Sequence, residues 1–336
     1  MPEPIFEKKN ILVTGGAGFI GSHLCEDLLK SSKVICVDNF VSGSQGNIDH
    51  LLRFPDFIFL KHDINQPLEL EKFPELARFR IEFQGIQEVY NLACPTSPKN
   101  FDQYKIDTIK ANTVGLMNML DLAIKYKAKF LHGSSSVVYG GRTDQQTIFK
   151  EDYLGILNQM SPRACYDSGK QYAEAIVNTY EDIHNLDAKI ARIFRTYGPR
   201  NRLNDGEMMP DFIVNALDNK DLVIYGDDNF RTTLSYVTDL VDGLVRLMAA
   251  PADIGPVNLG SDVDLKLSDV ARKIIDMTGS SSNVVFKEPL VFMTPLGIPD
   301  ISRARDQLAW LPVFSLEKGL EKTIEYAKAE KVRKTI

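Results

Sequence analysis

At 336 residues the chain is longer than one core usually supports, which favours a large nucleotide-binding unit with a smaller appended domain. Apolar residues make up 44% and charged residues 25%, and 39 basic against 45 acidic side chains leave a net charge of -6, which excludes the electrostatic signature of a nucleic-acid or acidic-membrane binder. Cys25, Cys36, Cys94 and Cys165 have no paired spacing, and the charged start from Met1 to Asn10 contains no secretory or membrane-spanning apolar run, so a cytoplasmic protein without disulfides is expected.

In chain order, Asn10-Ile11-Leu12-Val13-Thr14 predicts a strand that breaks at Gly15-Gly16 and gives way to helical spacing from Phe19 through Leu24, Leu28 and Leu29. Short apolar strands are expected next at 33–38, 57–60 and 88–92, then at 129–132 and 188–193, with helical or loop sequence between them. That alternation predicts an α/β fold, a Rossmann-type doubly wound parallel sheet covered on both faces. Past Tyr197-Gly198-Pro199 the alternation loosens and Pro and Gly recur, which marks a smaller C-terminal α/β substrate domain. The expected division is 1–196 for the dinucleotide-binding domain with the catalytic residues and 197–336 for the substrate domain, some of whose segments return to the first.

Gly15, Gly18 and Gly21 follow a strand and open a helix, a spacing that allows a tight turn, backbone approach to a pyrophosphate and close helix–strand contact. Asp38 ends the next strand, where a carboxylate accepts hydrogen bonds from an adenosine ribose and repels a 2′-phosphate, so NAD is expected rather than NADP. Asp63, after the third strand, is placed to meet the adenine. Phe19, Ile20, Asn39, Ile64, Leu92 and Ala93 complete the expected cofactor contacts at the same strand ends.

Tyr166 and Lys170 stand one helical turn apart on one face. A phenol titrates near ~10 in water, and a neighbouring ammonium favours its phenolate, which makes Tyr166 a candidate general base. Ser134-Ser135-Ser136 closes a predicted strand, and of these hydroxyls Ser135 is the candidate to hydrogen-bond the reacting oxygen. His23, His50, His62, His132 and His184 lack metal-ligand spacing, so no metal is expected.

With these motifs in this order, the chain resembles the NAD-dependent epimerase/dehydratase family of nucleotide-sugar enzymes, the extended short-chain dehydrogenase/reductases. Within it the chain is most similar to UDP-glucuronate decarboxylases, through Asn91-Leu92-Ala93-Cys94-Pro95-Thr96-Ser97-Pro98, Cys165-Tyr166-Asp167-x-Gly169-Lys170, the run from Ala191 to Arg200, Asn204-Asp205-Gly206 and Tyr236-Val237-x-Asp239-Leu240-Val241. The resemblance implies that Thr108 and Lys170 touch the cofactor and that Arg231 meets the sugar-nucleotide diphosphate. Pro95, Ser136, Arg195, Thr196 and Arg200 are the remaining candidate substrate contacts. It also implies a homodimer in which helices around 100–126 and 161–184 pair as a four-helix bundle.

Four positions depart from the decarboxylase pattern: Val137 stands where that group has an acid, Asp107 where it has a substrate-binding lysine, Gly297 where it has an arginine and Arg195 where it has an asparagine. Losing two cations and gaining an anion is expected to hinder binding of a uronate carboxylate. The acidic pair of the 4,6-dehydratases is likewise missing at Ser136-Val137. The set for hydride transfer at C4 is intact, so the expected activity is that of a 4-epimerase or net 4-dehydrogenase. The alternatives are a UDP-glucuronate decarboxylase with reassigned roles and a dinucleotide-binding sensor or scaffold without catalysis.

Overall fold

The computed structural model describes residues 8–96, 101–251, 254–289 and 294–335. Ser97 and Pro98 of the expected motif, residue 100 of the expected dimer helix and the first seven residues lie outside this set. The first half runs β1 (Asn10–Thr14), α1 (Phe19–Leu28), β2 (Lys33–Asp38), β3 (Phe57–Lys61), α2 (Ile81–Gln84), β4 (Glu88–Asn91), α3 (Lys105–Asn112), α4 (Val114–Tyr126) and β5 (Lys129–Ser135). After β6 (Ile148–Phe149) come α5 (Ala164–His184), β7 (Ala188–Ile193), β8 (Thr196–Tyr197), α6 (Met208–Leu217), β9 (Leu222–Tyr225), β10 (Arg231–Thr232), β11 (Ser235–Tyr236), α7 (Val237–Ala249) and β12 (Pro256–Leu259). β13 (Leu265–Lys266), α8 (Leu267–Thr278), β14 (Val284–Lys287), β15 (Ile298–Pro299), α9 (Ser302–Leu308) and α10 (Leu316–Thr335) complete the chain.

Seven strands form one sheet in the order β12-β7-β5-β4-β1-β2-β3, and every pairing in it is parallel. The strands are apolar on both faces because helices cover both. Leu12, Ile35, Val89 and Phe130 pack with α4 and α5 on one side, and Val13, Cys36, Tyr90 and Leu131 with α1 and α7 on the other. A third core, with Phe212, Ile213, Ile224, Val270, Ile274 and Leu320, lies beyond residue 196 and joins α6, α8 and α10 to the short β9–β14 pair. Since the sheet is parallel, its carboxyl ends share one edge, where β1, β2, β4, β5 and β7 deliver their following loops. No helix among the described residues is long and apolar enough to cross a membrane.

Candidate active site

That edge opens into a cavity of about 950 Å3. Its floor is the turn after β1. Gly15 has φ +66°, and a Cβ there would stand 2.9 Å from the Ala93 Cα, while a Cβ on Gly21 would come within 2.1 Å of the Gly15 carbonyl oxygen. The Gly18 N–H donates to that carbonyl at 3.0 Å, and α1 then begins at Phe19 and Ile20, which line the cavity with the three glycines. A backbone this close to its neighbours leaves the first turn of α1 open to an anion.

Asp38, 7% exposed, accepts hydrogen bonds from the Ala17 N–H at 3.0 Å and the Phe40 N–H at 2.7 Å, one on each carboxylate oxygen. Burial raises its pKa and these N–H groups oppose the shift. Asn39, Asp63, Ile64, Leu92 and Ala93 line the cavity beside it. The Ala93 N–H donates to Thr14 Oγ1 at 3.2 Å, and the Thr14 hydroxyl donates to Asn91 at 2.8 Å, which ties the ends of β1 and β4 together. A glycine turn without room for Cβ atoms and a fixed carboxylate at the end of β2 fit a dinucleotide such as NAD.

Helix α5 brings Tyr166 and Lys170 to the end of β5. The Tyr166 phenol lies beside the Ser135 hydroxyl, and the Lys170 ammonium donates to the Gly133 carbonyl at 2.7 Å and lies 6.0 Å from the Tyr166 ring centre. Burial pushes the Tyr166 phenol well up, Cys94 adds to this, and the Ser135 hydroxyl and Arg163 pull it back. Burial also lowers the Lys170 pKa, against the influence of Cys94 and Glu174. The three serines differ in surroundings: Ser134 donates to Glu174 at 2.6 Å, Ser135 meets Tyr166, and Ser136 is buried at the cavity wall.

Pro95, Ser136, Arg195, Thr196 and Arg200 line the other half of the cavity. Arg195 donates to Thr232 Oγ1 at 2.9 Å, and its pKa is lowered by burial against the opposing pull of Glu207. Arg200 pairs with Glu26 of α1 and lies 3.2 Å from His50. Two expected contacts are not brought to the cavity. The Thr108 hydroxyl turns back into its own helix and donates to the Tyr104 carbonyl at 2.8 Å, while Asp107 faces the cavity instead. Arg231 is held by Asp264, with Nε 2.5 Å from the carboxylate, and does not line the cavity.

Sequence reasoning missed Arg163 and Glu207, which line the cavity, and Glu174 and Arg192 behind it. Glu174 follows Lys170 by four residues on the face that carries Tyr166, and extending that spacing by one turn finds it. No cluster of His, Cys, Asp and Glu suited to a metal occurs among the described residues.

Residues 11–260 match the model of the NAD dependent epimerase/dehydratase family. UDP-glucuronic acid decarboxylase 1 of Xenopus tropicalis is 38% identical over 325 residues, covering 96% of this chain and 73% of that protein. Among solved structures, UDP-glucuronic acid 4-epimerase from Bacillus cereus, in complex with UDP-glucuronic acid and NAD, superposes with a TM-score of 0.82 at 29% identity and covers 96% of this chain and 99% of its own. UDP-glucose 4-epimerase of Thermotoga maritima, with UDP-glucose, gives a TM-score of 0.83 at 25% identity over 96% of this chain and 99% of its own.

Proposed function

Because the chain belongs to the NAD-dependent epimerase/dehydratase family and is an NAD-dependent enzyme of nucleotide-sugar modification, we propose that it oxidises C4 of a UDP-hexuronic acid and releases the C6 carboxylate as carbon dioxide. The observation that carries the C4 step is the Ser135–Tyr166–Lys170 arrangement at the carboxyl end of β5. Tyr166 takes the proton of the C4 hydroxyl, Ser135 hydrogen-bonds the same oxygen, and Lys170 stabilises the phenolate electrostatically. Bound NAD supplies the hydride acceptor for this step and the hydride donor for the last.

Decarboxylation then asks less of the protein than the four substitutions suggest. With a ketone at C4, the C6 carboxylate is β to a carbonyl, so the C5–C6 electron pair passes into the C4–C5 enolate without a protein acid on the carboxylate; the enolate takes a solvent proton at C5 to restore the C4 ketone, which then accepts the hydride at C4 and a proton on its oxygen from Tyr166. An apolar wall beside the carboxylate favours its departure by stripping water from it. Val137, 5% exposed and lining the cavity, supplies such a wall. The expected 4-epimerase or net 4-dehydrogenase is therefore replaced as the main reading by the one that the decarboxylase relatives support, at 35–38% identity over more than nine-tenths of this chain.

A second reading, return of the hydride to the opposite face as a 4-epimerase, is favoured by Gly297. A Cβ there would stand 2.1 Å from the Phe149 ring, so the position has no room for the cation that would anchor a carboxylate. Incubation of the protein with NAD and UDP-glucuronic acid, followed by product mass and trapped carbon dioxide, separates the readings. Carbon dioxide with a correspondingly lighter nucleotide sugar is expected. A C4-inverted product of unchanged mass supports the second reading, and a product lighter by two hydrogens with stoichiometric NADH marks a net dehydrogenase. Binding of NAD without turnover of any UDP-, GDP-, dTDP- or CDP-sugar refutes both readings and leaves a binding protein.

A further inference from the structure

Three side chains of α5, spaced one helical turn apart, hold three consecutive residues of β5. Tyr166 lies beside Ser135, Lys170 donates to the Gly133 carbonyl at 2.7 Å, and Glu174 accepts from the Ser134 hydroxyl at 2.6 Å. The first two belong to the chemistry proposed above, and the third has no part in it. Glu174 is itself gripped from the far side by Arg192 of β7, whose Nε and terminal nitrogen reach the carboxylate at 3.0 and 2.7 Å. Arg192 is the register partner of Ser134, so the carboxylate bridges two neighbouring strands at the same level. The guanidinium continues to the Tyr139 hydroxyl at 2.9 Å and the Glu151 carbonyl at 2.8 Å, and Tyr139 donates to Asn258 of β12 at 2.6 Å. Both charged side chains of the pair are 11% exposed.

A buried ion pair is weak evidence of net stabilisation, because desolvation offsets much of the attraction. Its geometry here is specific: the bridge fixes β5 and β7 against α5 at the point where Ser135 and Tyr166 must meet. We propose that Glu174, backed by Arg192, is a positioning residue that sets the contact between Ser135 and Tyr166 and supplies the anionic neighbour of Lys170. The groups that face the Lys170 ammonium are Cys94 from the segment after β4, His132 and the Gly133 carbonyl from β5, and Tyr166 and Glu174 from α5. Of these, Glu174 is the carboxylate. Ser134 serves as its hold on the strand and does no proton transfer.

The inference rests on the proposed roles of Tyr166 and Lys170, and its test has one arm that needs no substrate. In protein labelled with 13C-lysine, Glu174→Gln is expected to lower the midpoint of the Lys170 titration, read by NMR and assigned with Lys170→Arg, since an ammonium that loses an anionic neighbour gives up its proton more readily. The same variant should lose kcat on the order of ten- to a hundredfold, the size expected of a displaced reacting group, while its dissociation constant for NAD stays within about twofold. Ser134→Ala isolates the hold on the strand: kcat falls by roughly threefold or more with the Lys170 midpoint unmoved. An unmoved midpoint or an unchanged kcat in folded Glu174→Gln overturns the proposal. If that variant does not fold, unchanged kcat in Ser134→Ala overturns it. Full turnover in Tyr166→Phe would instead overturn the assigned chemistry, whatever Glu174 does.

Discussion

Asp38 illustrates how much one side chain decides at this site. Each of its carboxylate oxygens accepts a backbone hydrogen bond, from Ala17 in the glycine turn and from Phe40 just beyond β2, so the group is oriented before any ligand arrives. Even the glycine next to it serves this arrangement, since a Cβ on Gly43 would lie 2.9 Å from both oxygens. A fixed anion in a partly desolvated cavity bonds a ribose 2′-hydroxyl and repels a 2′-phosphate. NAD should therefore bind more tightly than NADP. Asp38→Ala should weaken NAD by roughly tenfold or more, the worth of a hydrogen bond to a charged group, and narrow the preference. Calorimetry with both dinucleotides checks this, and equal affinities in the unmodified protein would remove Asp38 from its assigned role.

Helix α5 has two working faces. One carries Tyr166, Lys170 and Glu174 to the sheet; the other leaves Tyr172 and Ile183 exposed, while neighbouring α3 exposes Ile106 and Ile109 and α4 exposes Val114. α3 and α5 pack against each other, so these side chains lie on adjoining helices, and exposed apolar groups grouped in this way mark an interaction surface. We propose that it pairs with its own copy as a four-helix bundle, as the family resemblance implies. Ile109→Asp should then lower the mass measured by light scattering from two chains to one without loss of NAD binding. A monomer before substitution, or a dimer after it, counts against this surface. The reading of α5 from sequence was uneven for a physical reason. Tyr166 and Lys170 stand out because a dinucleotide turn and a strand ending in three serines precede them, whereas Glu174 on a helix reads as an ordinary solvated charge until Ser134 and Arg192 are seen to enclose it.

Across the whole molecule, the strands with unbroken apolar runs were legible: β1, β2 and β7 have the expected bounds, and β3 ends one residue later than expected. β5 reaches Ser135 because the serines, though polar, continue the ladder beside β7. The strand that closes the sheet, β12, was not picked out, since Pro256 after Gly255 looks like a turn and its partner β7 lies far back in the chain. Thr108 and Arg231, assigned through the family resemblance, point to the Tyr104 carbonyl and to Asp264, a direction that sequence does not carry. The joint between the sheet and the segment after Tyr197 makes a prediction of its own. His23 of α1 hydrogen-bonds the Pro199 carbonyl at 2.9 Å beside the Arg200–Glu26 pair. Burial, reinforced by Arg200, lowers its pKa from 6.5 to about 4. The unfolded chain therefore takes up this proton first as pH falls. The stability that the neutral imidazole contributes is full above the unfolded value of 6.5 and is lost progressively down to about 4, by about 3 kcal/mol in all. His23→Gln keeps an N–H donor for Pro199 and does not titrate. Urea unfolding at about pH 7 and about pH 4.5 should show a smaller loss of stability in His23→Gln than in the unmodified protein, because the carboxylates common to both cancel in the comparison. Equal losses in the two proteins would mean that the imidazole is not held neutral at this joint.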